Sequence, residues 1–372
     1  MARTMYDTGT HPAREGFGDG RMACPSLSLD GRCRWYKRAM SPRLTARLCS
    51  ALLLLGCSAA PPPTSDAGTT DAGTVPDTVD VPMVASDVPI VASDVPMESC
   101  GVCATQAEPE TVGVVRSSDL DEISGIAESR AQPGVYFVHN DSGDTARFFA
   151  IDGTGALRGT YVLDGVTAVD WEDSALGPCP TGQCLYLGDI GDNGEARSGY
   201  VVYRVAQPVV GDGPATQHSV PWERFAFVYP DGAHNAEALA VRPDTGDVYV
   251  LTKVNAGATE VYRFPLPLRA EATATLVRVG ALALPSTGDQ LVTGADLHPC
   301  APRLLVRTYT RLWEFSAGEG RPWEDLFRAT PERQLVSNET QGESVGWHAD
   351  GRGYVTISEG RAQGLHDARC PR

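Results

Sequence analysis

The sequence predicts an all-β chain folded as a β-propeller with five four-stranded blades, and three observations predict it. Short runs of alternating β-branched and aromatic residues, bounded by Gly, Pro, Asp and Asn, recur from about Glu110 onward; this is how antiparallel strands look in sequence. The runs fall into blocks with a common internal order, which marks a repeat architecture. Helical periodicity is nearly absent, which argues against an α/β fold. Six blades, one of them degenerate, is the alternative count.

The first block opens at Ser124-Gly125-Ile126-Ala127, continues through Val135–Val138 and Arg147–Ile151, and ends with Gly159–Leu163. The second is the most complete. Its acidic opening, Asp170, Glu172 and Asp173, leads through Leu185–Leu187 and Tyr200–Val205 to Trp222–Tyr229. Glu237–Val241, Val248–Leu251, Glu260–Phe264 and Thr275–Val279 make the third. The fourth has Thr293–Leu297, Leu304–Val306, Leu312–Phe315 and an outer strand placed after Trp323. The fifth supplies Glu343–Trp347, Tyr354–Ile357 and a run near Leu365, and lacks a fourth strand. The orphan run Thr111–Val115 would complete it, closing the ring and removing its seam. Trp171, Trp313 and Trp347 are expected to pack between blades.

Upstream of the blades the composition changes. Residues 1–39 have no periodic pattern and read as a non-native N-terminal extension. Residues 40–57 hold Arg43 and Arg47 before the apolar run Leu48–Leu55, a secretory signal too short to span a bilayer. It ends Leu54-Leu55-Gly56-Cys57, which resembles the lipobox of bacterial lipoproteins. That resemblance implies lipidation of Cys57 and, with Ser58 following, sorting to the outer membrane. Residues 58–104 are a Pro/Thr/Asp-rich tether in which DVPMVAS is echoed as DVPIVAS and DVPM. Proline every seventh residue breaks helix and sheet, and too little apolar surface offsets the chain entropy. Residues 105–372 remain for the propeller, enough for one large domain.

The charge is strongly negative. The whole chain has 31 bases and 47 acids, net −16. Residues 1–56 contain nine of the bases and four of the acids, so the remainder holds 22 bases against 43 acids, net −21. Such a surface repels phosphate backbones and excludes nucleic acid as a partner, while favouring cations. Membrane contact is expected through the lipid anchor alone. The six cysteines beyond Cys57 are expected in disulfides, since the chain reads as exported. Cys179 and Cys184 flank a Pro/Gly loop and should pair. Cys103 or Cys100 should reach Cys370 or Cys300 across the closure; Cys100–Cys103 with Cys300–Cys370 is the alternative.

In a propeller the start of each inner strand and the end of its neighbour meet at one mouth of the central channel. The strand-one starts here are Ser124, Glu172, Glu237, Thr293 and Glu343. The strand-two ends carry His139-Asn140-Asp141, Asp189, Thr252-Lys253, Arg307-Thr308 and Ser358-Glu359. Carboxylates around one narrow opening repel one another, and burial adds to the cost. A hard cation among them relieves this, as would Lys253 and Arg307, or water. Oxygen ligands suit Ca²⁺. Glu172, Glu237, Glu343, Asp189 and Asn140 are the expected metal ligands. Ser124, Thr293, His139, Lys253, Arg307 and Glu359 are the expected ligand contacts. The run Asp189-Ile190-Gly191-Asp192-Asn193-Gly194 fails as an EF-hand, with Gly at its third position and Tyr200 at its twelfth.

The phrases SGIAESR…HNDSGD, VDWEDSALGP…CLYLGDIGDN…VYRV, EALAVRPDTGDVYVLTK…VYRF, VTGADLHP…LVRTYT and GESVGWHADGRGYVTISEG resemble a family of bacterial exported β-propeller lipoproteins. More distantly they are similar to SdiA-regulated and phytase-like propellers. The resemblance covers about Val112–Glu359 and implies a propeller and calcium. It transfers no activity, because no phytase or gluconolactonase ligand set maps onto these residues. The expected function is a lipid-anchored envelope binding or scaffold propeller for a small-molecule, glycan or protein ligand. A calcium-dependent hydrolase of phosphoesters or lactones is the alternative.

Overall fold

The structure is a computed structural model that describes residues 100–103, 108–286 and 288–370. Residues 1–39, the signal segment with Cys57, and the tether to residue 99 lie outside the described residues. The described residues fall in one compact unit.

The strands follow the order the sequence sets. β1 (Glu110–Val114) comes first, and blade one follows as β2 (Ile123–Glu128), β3 (Val135–Asn140), β4 (Arg147–Asp152) and β5 (Leu157–Val162). Blade two has β6 (Trp171–Cys179), β7 (Gly182–Asp189), β8 (Tyr200–Ala206) and β10 (Glu223–Val228), while β9 (Thr216–Ser219), between β8 and β10 in the chain, joins the sheet of blade one. Blade three is β11 (Ala236–Val241), β12 (Val248–Thr252) and β13 (Thr259–Arg263), with β14 (Ala274–Thr275) before β15 (Val277–Leu282). β16 (Val292–Leu297), β17 (Arg303–Thr308), β18 (Leu312–Ser316) and β19 (Glu332–Gln334) make blade four. β20 (Gly342–Trp347), β21 (Gly353–Ser358) and β22 (Gly364–Arg369) end the chain, and β1 pairs antiparallel with β22 as the fourth strand of blade five. The count is five, not six.

The inner strands pack in a ring, β2 on β6, β6 on β11, β11 on β16, β16 on β20, and β20 back on β2. Five apolar clusters fill the five spaces between blades. Trp171 lies with Phe148 and Leu185 between blades one and two; Tyr186 and Tyr262 lie between two and three; Trp313 and Tyr249 lie between three and four. Trp347 joins Leu305 and Leu312 between four and five, while Ile357 meets Ile126 across the closure. The alternating runs thus bury both sheet faces, each large side chain contributing about 1.5–3 kcal/mol.

The structure adds local detail, and the outer strand of blade four does follow Trp323. Residues Trp323–Arg328 form a 3-10 turn that buries Leu326 and Phe327, and the outer strand of blade four starts later, at Glu332. Two short strands were not visible in the pattern. β9 and β14 extend blades one and two as parallel fifth strands, each reached from the link before the outer strand of the next blade. They cover edges that would otherwise offer unpaired backbone groups.

The disulfides are Cys179–Cys184, Cys103–Cys370 and Cys100–Cys300. The latter two tie the segment before β1 to the end of β22 and to the loop after β16. They close spans of 267 and 200 residues, and chain-entropy reasoning gives each about 5 kcal/mol.

Candidate functional site

The inner hairpin of every blade carries one extra residue at the same end. Pairing slips between Ile123 and Gly125, Trp171 and Ser174, Ala236 and Ala238, Val292 and Gly294, and Gly342 and Ser344. A bulge leaves its extra residue unpaired and re-aims the side chain. The bulged positions are Ser124, Glu172, Glu237, Thr293 and Glu343, the column read from the sequence. In blade two the slip spans Asp173 as well.

Asp173 closes the channel below this ring. It is fully buried; its Oδ2 accepts N–H bonds from Leu239 at 2.9 Å and Ala295 at 3.0 Å, and its Oδ1 from Ser174 at 2.8 Å. One carboxylate from blade two therefore ties the inner strands of blades three and four. Gly125, Ala238, Gly294 and Ser344, at the matching positions, are small enough to leave that space.

Above Asp173 the mouth is acidic. One oxygen each from Asp141, Asp170 and Glu172 lie within 4.8 Å of one another. Burial raises the Glu172 carboxyl well above its ordinary value, helped by Glu237, Asp141 and Asp170. Burial likewise raises Asp170 and takes Asp141 to about 7. Glu343 is pushed up to about 9, by burial first and then by Glu237, Glu359 and Asp141 against the pull of Lys253. Glu172 is 3% exposed. Gly191 is what lets these groups converge. A Cβ there would lie 2.2 Å from Glu172 Oε1 and 2.5 Å from Asp170 Oδ2.

Lys253 stands opposite. Its ammonium pairs with Glu237 and donates to the Tyr309 hydroxyl at 2.7 Å, lying over that ring. Burial alone would depress it; Glu237 and Tyr309 outweigh burial and hold it above its ordinary value. Asn235 donates to Glu237 at 3.2 Å and to Asn193 at 3.3 Å. Beside this group opens a cavity of about 410 Å³ lined by Asn193, Asn235, Lys253, Asn255, Leu291 and Tyr309, among others. Gln341 bridges Glu343, at 3.2 Å, and Glu359.

Several expected contacts are engaged elsewhere. Asp189 accepts from Arg197 at 2.8 Å and from the N–H groups of Val169 and Asp170, fixing the loop that carries Asp170. Asn140 donates to Asp119 and Asp144, at the edge of a separate cavity of about 140 Å³. Neither belongs to the close carboxylate group, whose other members are their neighbours Asp141 and Asp170. Arg307 is fully buried and pairs with Glu339 at 2.8 Å, inside the sheet rather than in the opening. Thr293 donates to the Gly342 carbonyl at 2.9 Å. His139 is buried, bonds the Asn140 carbonyl at 3.0 Å and packs on Trp171. Burial lowers it to about 4, so it is a neutral core histidine at neutral pH. Ser124 is buried in its bulge.

One further candidate group, Cys100, His298 and Cys300, has the spacing of a metal site. Its two sulfurs are joined in a disulfide, which removes them as thiolate ligands.

No protein-family model and no curated protein matches this chain. Among solved structures it is similar to a glucose dehydrogenase, with a TM-score of 0.42 and 13% identity over 71% of this chain and 99% of that one. A likeness at that level carries no argument about activity.

Proposed function

We propose that this propeller is a cation-dependent binding protein, with a hard divalent cation, calcium by its oxygen ligands, held by Asp141, Asp170 and Glu172. The observation that carries the reading is Glu172, buried at 3% exposure, with an oxygen within 4.8 Å of oxygens of two other carboxylates. Oxygens sharing one calcium at about 2.3–2.6 Å are at most about 5 Å apart, so this spacing fits a common ion. Lys253 cannot take its place, since its charge is matched to Glu237.

The signal-like run ending at Cys57 supports export and lipid anchoring, and three disulfides suit an oxidising compartment. We place the protein in the cell envelope on those grounds. A hydrolytic role has one observation in its favour. Glu343, pushed up to about 9, holds a proton at neutral pH and has the character of a general acid.

Calcium titration of the full chain by calorimetry tests the binding reading. One site is expected, abolished by Glu172→Gln. Absence of heat at millimolar calcium overturns it. Phosphoester and lactone panels with calcium test the hydrolytic alternative, which fails if Glu343→Gln leaves turnover unchanged.

A further inference from the structure

The cavity beside the mouth has a chemical character of its own. Lys253 has three ammonium donors, of which Glu237 and Tyr309 take two. Tyr309 accepts from Lys253, and its own proton has no acceptor among the described residues. Asn193 uses its oxygen on Asn235, and among the described residues neither its NH₂ nor the amide of the exposed Asn255 is engaged. Gly194, the exposed Glu195 and one apolar side chain, Leu291, complete the lining.

Three ligand classes are disfavoured by that inventory. An apolar ligand would strand the Lys253 and Tyr309 donors, each costing about 1–3 kcal/mol. An anion would have to compete with the Glu237 carboxylate, which already holds the Lys253 ammonium. An organic cation would find Glu237 already taken by Lys253, with the exposed Glu195 as the lining carboxylate left to receive it. A neutral ligand bearing many hydroxyls has none of these conflicts, since each hydroxyl donates to one group and accepts from another.

We infer that this cavity is a binding site for a neutral saccharide, held by Tyr309, Lys253, Asn193 and Asn255. At about 410 Å³ it has the size of a small-molecule site. The inference rests on the mouth being a binding surface and does not require the cation. Lys253 and Tyr309 contact the sugar directly, and Glu237 fixes the ammonium from behind.

The test uses the full chain and a panel of glucose, galactose, mannose, xylose, arabinose, maltose and cellobiose, with glucuronate and glucosamine as charged controls. Binding is read by saturation-transfer NMR and calorimetry, in calcium and again in chelator. At least one neutral sugar is expected to bind in both conditions. Tyr309→Phe should weaken that binding about tenfold and Asn255→Ala about threefold, the effect of one lost hydrogen bond at a half-buried and at an exposed position. Calcium affinity in both variants should stay within about twofold of the parent, which separates this site from the carboxylate group. Binding of the charged controls alone, no binding up to about 100 mM, or neutral-sugar binding indifferent to both substitutions overturns the inference. Sugar binding lost only in chelator also overturns it as stated, because the cation would then be part of the site.

Discussion

Replacing Asp173 by alanine is the most informative perturbation of the scaffold under the mouth. The carboxylate accepts three backbone N–H bonds, two of them from strands of other blades, 66 and 122 residues away in sequence. Alanine leaves those three donors buried and unpaired at about 1–3 kcal/mol each. Burial itself disfavours the carboxylate, raising it well above its ordinary value, so its removal returns part of that cost. The expected net loss is about 3–5 kcal/mol, a large share of the 5–15 kcal/mol typical of a folded domain. Asp173→Asn keeps the shape and can still accept two bonds, but turns an NH₂ toward the third donor; about 1–3 kcal/mol is expected. Urea unfolding of the oxidised full chain, followed by tryptophan fluorescence, measures both. If Asp173→Ala lies within about 1 kcal/mol of the parent, or is milder than Asp173→Asn, the carboxylate does not tie the blades as described.

Three further outcomes follow from the same geometry. The mouth carboxylates have folded-state values raised above their unfolded ones, Asp141 to about 7 and Glu343 to about 9. The native state therefore holds more protons than the unfolded chain above about pH 4, and stability falls as pH rises from there to about 9; melting in chelator should show this decline, and calcium should reverse it. His348 is buried with Nδ1 3.0 Å from Glu128 and Nε2 2.9 Å from Asp367, a contact across the ring closure. Burial opposes its charge, yet the two carboxylates raise it, so its contribution is complete below about pH 6.5 and is lost as pH rises through the folded value. His348→Ala should cost about 1.5–3 kcal/mol at pH 6 by removing one charged partner of the buried Glu128, which keeps the Gly134 and Ala349 N–H groups, and urea unfolding that moves by under about 0.5 kcal/mol would contradict the closure role. Gly191→Ala should weaken calcium at least about tenfold, because its methyl takes the space of the Glu172 and Asp170 oxygens; an unchanged calorimetric constant places the ion elsewhere.

Much of this architecture was legible because propeller strands announce themselves by alternation and by turn residues. The column Ser124, Glu172, Glu237, Thr293, Glu343 emerged from aligning the small residues that follow each, and neighbouring strands crowd those positions: a Cβ on Gly125 would meet His139 and Ser174, and one on Gly294 the Glu343 carbonyl. What could not be read was which polar group each loop uses internally. Asp189 and Asp141 look equally suited to a cation in sequence. Only the fold commits Asp189 to Arg197 and the loop N–H groups while leaving Asp141 beside Asp170. Tyr309 was missed for a related reason, since it follows a strand end whose arginine carries the more obvious charge, and that arginine turns inward to Glu339. β9, with the sequence TQHS, has no apolar alternation to betray it, because it pairs at an edge and buries almost nothing. Pairing among Cys100, Cys103, Cys300 and Cys370 stayed open because spacing alone does not report distance in a closed ring.

Anomalous diffraction from crystals of the protein soaked in a calcium-mimicking lanthanide addresses the carboxylate group most directly. One peak is predicted among Asp141, Asp170 and Glu172, with carboxylate oxygens at about 2.3–2.6 Å. An absent peak, or one in the separate cavity by Asp119, Asn140 and Asp144, would contradict the assignment.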